Sequence, residues 1–413
     1  MKHYVNTVYI TREDIMINKR MTGLGTHRSA IRDLFEYGLC RKREIGEDRV
    51  FDFSLGNPSV PAPDEVNREL VRLITEVEPT SLHGYTSAAG DASVRTAVAE
   101  YITKTHGFPV AAGDIYMTVG AAAALTCTLH ALVCPGEEVI VLTPYFPEYR
   151  VFIEGTGASV VEVDCDPVSF HPVAQKIAAA ITEKTAAIIV NSPNNPSGAV
   201  YSREDIIALS AVLTAAEDRY AHPIYLISDE PYRELVYDGA EVPFIPDYYA
   251  DTVVCYSFSK SLSIPGERIG YVLVSPRVTD NSTVYASVAG AGRSLGYVCA
   301  PALLQKVLPA CLGLTSDVSV YDRNRRLLYE ALTSYGFTVV KPDGAFYMFV
   351  KAPVPSAVEF CEAAKRHELL IVPSDSFGVS GYLRISYCVG TQMIGNSLPA
   401  FRALAEEYGI LPK

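Results

Sequence analysis

A single lysine, Lys260, ends a β-branched and aromatic run, Thr252 to Phe258, and is followed by a Pro-Gly turn, Arg268 and a second apolar run, Ile269 to Val274. Both runs read as buried strands. A cation at the mouth of a buried strand is either placed there for chemistry or is a solvated loop residue, because lysine is almost never buried unless paired. Groups that could work with it stand at comparable places. Asp229, Glu230 and Tyr232 follow the run IYLIS, Asn195 follows AAIIVNSP, Phe146 follows EEVIVLTP, and Ser257 and Ser259 lead into Lys260. Gly120 opens an alanine-rich helix whose first amides could hold an anion. Arg384 lies inside the apolar run LRISY, where an unpaired guanidinium is costly, so it needs an anion, either a structural carboxylate or a substrate. The inventory is one amine, one acid, an anion cradle (the Gly120 amides, Ser257, Ser259, Arg268), a flat aromatic, two further donors and a distant arginine. Neither a metal-ligand set nor a Ser-His-Asp spacing stands out among the 8 histidines.

The elements that must position these groups follow from periodicity. From Asp114 to Ser275 strand-like and helix-like segments alternate, with continuous apolar strands. That pattern predicts an α/β fold with a mostly parallel sheet covered by helices on both faces, and in such sheets ligands bind at the carboxyl ends of strands. The rhythm then changes. A helix from about Asp317 to Tyr335, strands FTVV, AFYMFV, LLIV and YLRISYC, and helices at Pro355 to Glu368 and Thr391 to Tyr408 predict a smaller C-terminal α/β domain. Ahead of the sheet, Ser29 to Arg43 has helical spacing, Phe51 begins a short strand, Asp64 to Ile74 reads as a helix, and Gly90 precedes a capped one. Gly56, at the bend after that strand, either lets backbone approach a ligand or serves a turn. Tyr85 falls in a loop. The expected division is an N-terminal segment, 1–63, packing with the small domain, a large domain over 64–300 and a small domain over 301–413.

Composition narrows the class. The 413 residues are 49% hydrophobic and 20% charged, an ordinary globular mixture with a net charge of −12. Nucleic acid or an anionic membrane would require a basic face, and neither is expected as a partner. The 9 cysteines form no CxxC pair, which suits reduced thiols in a cytoplasm. The stretch MKHYVNTVYITRED lacks the apolar core of a signal peptide.

A lysine, a phosphate cradle and an acid together suit pyridoxal phosphate, whose aldehyde needs an amine and whose ring nitrogen needs an anionic partner. The chain resembles the class I/II aminotransferases of the aspartate-aminotransferase type, the fold type I pyridoxal-phosphate enzymes. The matching motifs are SLGNP at 54–58, YTSAAG at 85–90, TVGAAAAL at 118–125, PYF at 144–146, NSPNNPSG at 191–198, SDEPY at 228–232, SFSKSLSIPGERIGY at 257–271, GAFY at 344–347 and LRISY at 383–387. They stand in the family's order and span nearly the whole chain. The resemblance implies that Lys260 bonds the cofactor's aldehyde and shuttles the substrate's α proton, and that Asp229 keeps the ring nitrogen protonated. It implies that Asn195 and Tyr232 donate to the ring oxygen and that Phe146 stacks on the ring. Ser257, Ser259, Arg268 and the amides of Ala121 and Ala122 would hold the phosphate, with Tyr85 reaching in from the other subunit of a homodimer with shared active sites. Arg384, with Gly56 and Asn195, would clamp the α-carboxylate. The reaction implied is a ping-pong exchange between an amino acid and a 2-oxo acid, with aspartate or a broad range of donors.

The sequence departs from the pattern at Ala122, where one bacterial branch carries a lysine for a distal carboxylate. Arg293, in GAGRSLGYVCAP, stands near the place from which another branch supplies an arginine across the subunit interface; its alternative is a solvated loop charge. A β-lyase or elimination enzyme on the same cofactor is the second reading. A non-enzymatic regulator of this fold would carry a winged helix ahead of it, and 50 residues precede Phe51.

Overall fold

The computed structural model of the chain describes residues 17–26 and 30–412. Ser29, the expected start of the first amphipathic helix, and the N-terminal stretch without a signal-peptide core lie outside them; the helix is seen over Ala30–Ile45. After it comes β1 (Phe51–Asp52). A seven-stranded sheet follows, made of β2 (Ile115–Thr118), β3 (Glu138–Thr143), β4 (Ser159–Asp164), β5 (Thr185–Asn191), β6 (Tyr225–Asp229), β7 (Thr252–Ser257) and β8 (Gly270–Val274) in the order β2-β8-β7-β6-β5-β3-β4. It is parallel except at β8, which runs antiparallel to both β7 and β2.

The residues explain the order. All of TAAIIVN in β5 is buried, as a central strand covered on both faces requires. Helices are specified at their ends: Ser202 and Asp205 form a capping box for the crossover helix Arg203–Tyr220, and Asp91 caps Ala92–His106, which leads into β2. One face of the sheet packs on Ala121–Leu132 and Asn281–Leu295, and helices ahead of and after the sheet complete a second core with Ala92–His106.

The small domain holds β9 (Thr338–Val340), β10 (Tyr347–Lys351), β11 (Leu369–Leu370), β12 (Val372–Pro373) and β13 (Tyr382–Ser386). Four of these make the sheet β12-β13-β10-β9, while β11 pairs in parallel with β1. Leu34 and Val50 pack on Leu370, Val372 and Phe377, so the described part of the N-terminal segment joins the small domain's core.

Two local expectations are corrected, and one helix packs across the expected boundary at 300. The apolar run LLIV is not one strand: Ile371 separates β11 from β12, which pair with different partners. The helix Ala302–Cys311, just past that boundary, packs against Asp64–Glu76 and Ala92–His106 and buries Val307, Leu308 and Cys311 beneath the large sheet. The stretch holding Arg293 is not a loop but the last turn of the helix Asn281–Leu295.

Where β7 meets β8, Ser257 pairs with Gly270, and Thr118 of β2 pairs with the same glycine. A Cβ on Gly270 would lie 2.3 Å from the Tyr256 carbonyl oxygen and 3.2 Å from the Cα of Gly120. The three site segments meet there only because this residue has no side chain. Gly270→Ala is expected to destabilise the fold by roughly 2–3 kcal/mol, as overpacking against backbone does, read from the shift of the urea midpoint at constant slope.

Candidate active site

The floor of the site is set by strand register. Asn191 and Asp229 are partners at the ends of β5 and β6. The Asn191 amide donates to the Asp229 backbone oxygen at 2.9 Å, and its own side-chain oxygen accepts from the Asn195 amide at 2.8 Å. Asp229 Oδ2 accepts from the Tyr149 hydroxyl, whereas Oδ1 is buried with no partner among the described residues. Burial pushes the Asp229 carboxyl up to about 7, against the hydrogen bond from Tyr149, which lowers it. Glu230, next along the chain, points to the opposite face as pleating demands. It takes the Ser228 hydroxyl at 2.6 Å and the Arg233 guanidinium, and plays no part in the floor.

Lys260 sits in the short helix Phe258–Ser261, which Ser257 caps. The Ser257 and Ser259 hydroxyls are 2.8 Å apart, and Arg268 Nη1 donates to the Pro265 carbonyl at 3.0 Å and reaches Ser259 Oγ at 3.4 Å. Gly120, with φ of 88°, precedes the helix Ala121–Leu132, and a Cβ there would meet Arg268 Nη2 at 2.7 Å. Two hydroxyls, a guanidinium and free helix amides thus converge as an anion cup. Lys260 Nζ donates to the Gly56 carbonyl at 2.6 Å and lies 5.4 Å from the centre of the Phe346 ring. Burial pulls its pKa down to about 8, with Arg268 and Arg384 adding to the effect against the buried Cys388.

Arg384 is buried in the middle of β13. It donates to Asn195 Oδ1 at 3.2 Å and to the Ser54 carbonyl, and its Nε has no partner among the described residues. The guanidinium lies between two rings, its Cζ 4.8 Å from the centre of Tyr347 and 5.1 Å from that of Phe377. Among the described residues no carboxylate pairs with it. Of the two anions the sequence allowed, the structural carboxylate is therefore not what these residues provide.

One cavity is lined by Gly56, Ala121, Ala122, Phe146, Asn195, Asp229, Tyr232, Ser257, Ser259, Lys260, Arg268 and Arg384, twelve of the residues selected from sequence. Tyr85 and Arg293 are outside it; Tyr85 is fully exposed in its loop, and Arg293 is exposed at a helix end. Sequence reasoning missed Tyr149, which arrives from the helix Glu148–Gly155 to hold Asp229, together with Asn191, Tyr347 and Phe377. Tyr347 lies in the GAFY motif, but nothing in that spelling tells which of its side chains faces Arg384. The cavity mouth also takes Ile31 and Leu55, from the segment ahead of the large sheet.

These residues fit pyridoxal phosphate. The orphaned Asp229 Oδ1 matches a protonated ring nitrogen, the cup matches a phosphate, and Lys260 stands between them. Asp229 also makes a pH test. Below pH about 4 its carboxyl is protonated folded and unfolded; as the pH rises to about 7 only the unfolded chain releases the proton, so this group's contribution to stability falls across that window. Asp229→Asn in cofactor-free protein is expected to be more stable than the parent by roughly 2–4 kcal/mol above pH 7 and by nothing below pH 4, in urea titrations at the two pH values. An equal difference at both would refute the buried-carboxyl account.

Comparison with known proteins agrees with this geometry. The family model of aminotransferase class I and II matches residues 48–396. The aspartate/prephenate aminotransferase of Thermus thermophilus is 32% identical over 371 residues, covering 87% of this chain and 91% of that protein. An amino transferase structure from Eubacterium rectale superposes with a TM-score of 0.93 at 51% identity, covering 95% of this chain and 99% of its own. The aspartate aminotransferase of Thermotoga maritima superposes with a TM-score of 0.83 at 27% identity, over 94% of this chain and 99% of that one. The chain belongs to the class I and II aminotransferases, enzymes that depend on pyridoxal phosphate and have the type I fold.

Proposed function

We propose that this aminotransferase moves the amino group of an L-amino acid to a 2-oxo acid in two half-reactions, in the cavity between the large and small domains, with pyridoxal 5′-phosphate held on its floor. The observation that carries the reading is the buried Arg384, which has no carboxylate among the described residues, facing a cavity that also contains Lys260 and the free oxygen of Asp229. A guanidinium so placed recognises a carboxylate by two parallel hydrogen bonds. The α-carboxylate of an amino acid bound there, helped by Asn195 and the backbone at Gly56, is within reach of the lysine.

When bound, the cofactor supplies an electrophilic carbon and a ring that accepts the electron pair left at the substrate's α carbon. The protein's own groups do the rest. Asp229 would hold the ring nitrogen's proton, and Asn195 and Tyr232 would donate to the ring oxygen. Phe146 would cover one face, while Ser257, Ser259, Arg268 and the amides of Ala121 and Ala122 would take the phosphate. Lys260, with its pKa drawn down to about 8, is in part unprotonated near neutral pH, so it can take the α proton and return it. Tyr85, fully exposed on this chain, would complete the phosphate cup of a second copy in a homodimer. The absence of pairing among the nine cysteines fits our placement of the enzyme in the cytoplasm.

The donor we favour is aspartate within a broad range. Relatives carry aspartate and prephenate in their names, whereas the cavity's cations among the described residues, Lys260, Arg268 and Arg384, already have roles. A grip on a distal carboxylate would come from Arg293 of a second copy. Two experiments test these assignments. Lys260→Ala is expected to lower turnover by on the order of 10³-fold or more while cofactor still co-purifies through the cup; retention of substantial transamination would refute the role of the lysine. Arg293→Ala is expected to lower kcat/KM for aspartate about tenfold and leave leucine within about threefold. An unchanged aspartate-to-leucine ratio removes Arg293 from the site.

A further inference from the structure

Two tyrosine hydroxyls meet beneath the carboxylate clamp. Tyr232 follows β6 in the large domain and Tyr347 begins β10 in the small one; both are buried, and their oxygens are 2.9 Å apart. Tyr347 also carries Arg384 on its ring face, with Cζ 4.8 Å from the ring centre. Its hydroxyl crowds the backbone at Gly56, where a Cβ would stand 2.0 Å from that oxygen. One side chain therefore touches the clamp, the Gly56 backbone and Tyr232.

Each phenol has one proton, so within the pair one oxygen donates and the other accepts. The Arg384 charge lies against Tyr347 and favours loss of its proton. Burial pushes both phenols up, Tyr347 to about 12 and Tyr232 well above its ordinary value, and the Arg384 guanidinium opposes the rise in both. The cation against its ring makes Tyr347 the better donor of the pair. That leaves the proton of Tyr232 free for a third atom, and a hydroxyl that accepts one hydrogen bond donates the next more strongly.

We propose that Tyr347 is a positioning residue for the reaction: its hydroxyl donates to Tyr232 and directs the Tyr232 proton to the cofactor's ring oxygen, while its ring ties that hydrogen bond to the arginine that receives the substrate carboxylate. This rests on the reading of Tyr232 given above. The pair bridges the two domains, so the charge on the ring oxygen becomes sensitive to how the small domain's arginine is held. Donation to the ring oxygen weakens its hold on the neighbouring proton; loss of either hydroxyl should therefore raise the pH at which the bound cofactor changes colour.

The test is an absorbance pH titration of the holoenzyme and of Tyr347→Phe, Tyr232→Phe and the double variant, the phenylalanine at 347 keeping the ring against Arg384. The expected result is a midpoint raised by about one unit in Tyr232→Phe and by about half a unit in Tyr347→Phe, with the double variant no higher than Tyr232→Phe alone. The KM for the amino donor in Tyr347→Phe should stay within about threefold. A Tyr347→Phe midpoint within about 0.1 unit of the parent, with Tyr232→Phe shifted, overturns the inference and leaves the reading of Tyr232 intact. An unshifted Tyr232→Phe overturns both. A Tyr347→Phe shift that persists in the Tyr232→Phe background also overturns the inference, because the hydroxyl would then be acting by another route.

Discussion

A guanidinium buried inside a strand, with no carboxylate against it among the described residues, is the constraint from which the architecture of the site follows. Taking such a charge out of water costs several kcal/mol unless hydrogen bonds and an anion repay it. Arg384 receives only part of that repayment from the protein: one amide oxygen, one backbone carbonyl and two aromatic faces. Two rings and two acceptors hold it, and Nε has no partner among the described residues. A side chain held by these contacts with capacity left over suits the carboxylate-binding role proposed for it. Asp229 has the complementary shortfall, a carboxyl with one oxygen satisfied and one not.

The two incomplete charges come from different domains, which makes the site a property of their junction. Asp229, Lys260 and the anion cup belong to the ends of β6 and β7 and the turn before β8, whereas Arg384 and Tyr347 belong to the small sheet. Asn195, in the loop after β5, is where they meet: its backbone amide is held by Asn191 and its side chain accepts from Arg384. Gly56 joins from the segment after β1, its carbonyl on Lys260 and its Cα beneath Tyr347. The buried arginine and the buried lysine thus reach one cavity from separate sheets.

Local geometry in the large domain depends on the pleat and on two glycines. Alternation along β6 sends Asp229 to the cavity and Ser228 and Glu230 to the far face, where Glu230 is consumed by Arg233. Gly270 lets β8 lie against β7 and Gly120, and Gly120 in turn gives Arg268 room at the start of the helix Ala121–Leu132. Arg268 itself has φ of 51°, an uncommon conformation for a side-chain-bearing residue that is held here within the cup.

The alternation of apolar strands and helices determined the sheet, because continuous burial on both faces leaves few other arrangements, and the strand-end rule then selected Lys260, Asp229, Asn195, Ser257 and Phe146 from the chain alone. The cost of burying charge selected Arg384 in the same way. What only the tertiary structure decided is which side chains answer those groups. Tyr149 reaches Asp229 from a helix 80 residues away, Tyr347 and Phe377 approach Arg384 from separate segments, and Ala302–Cys311 packs on helices far earlier in the chain. Arg293 became helical through the packing of Val284 and Val288 on the sheet. Periodicity reports the face of an element that must be buried, whereas partners across long sequence separations are fixed by packing and register, which no local pattern encodes.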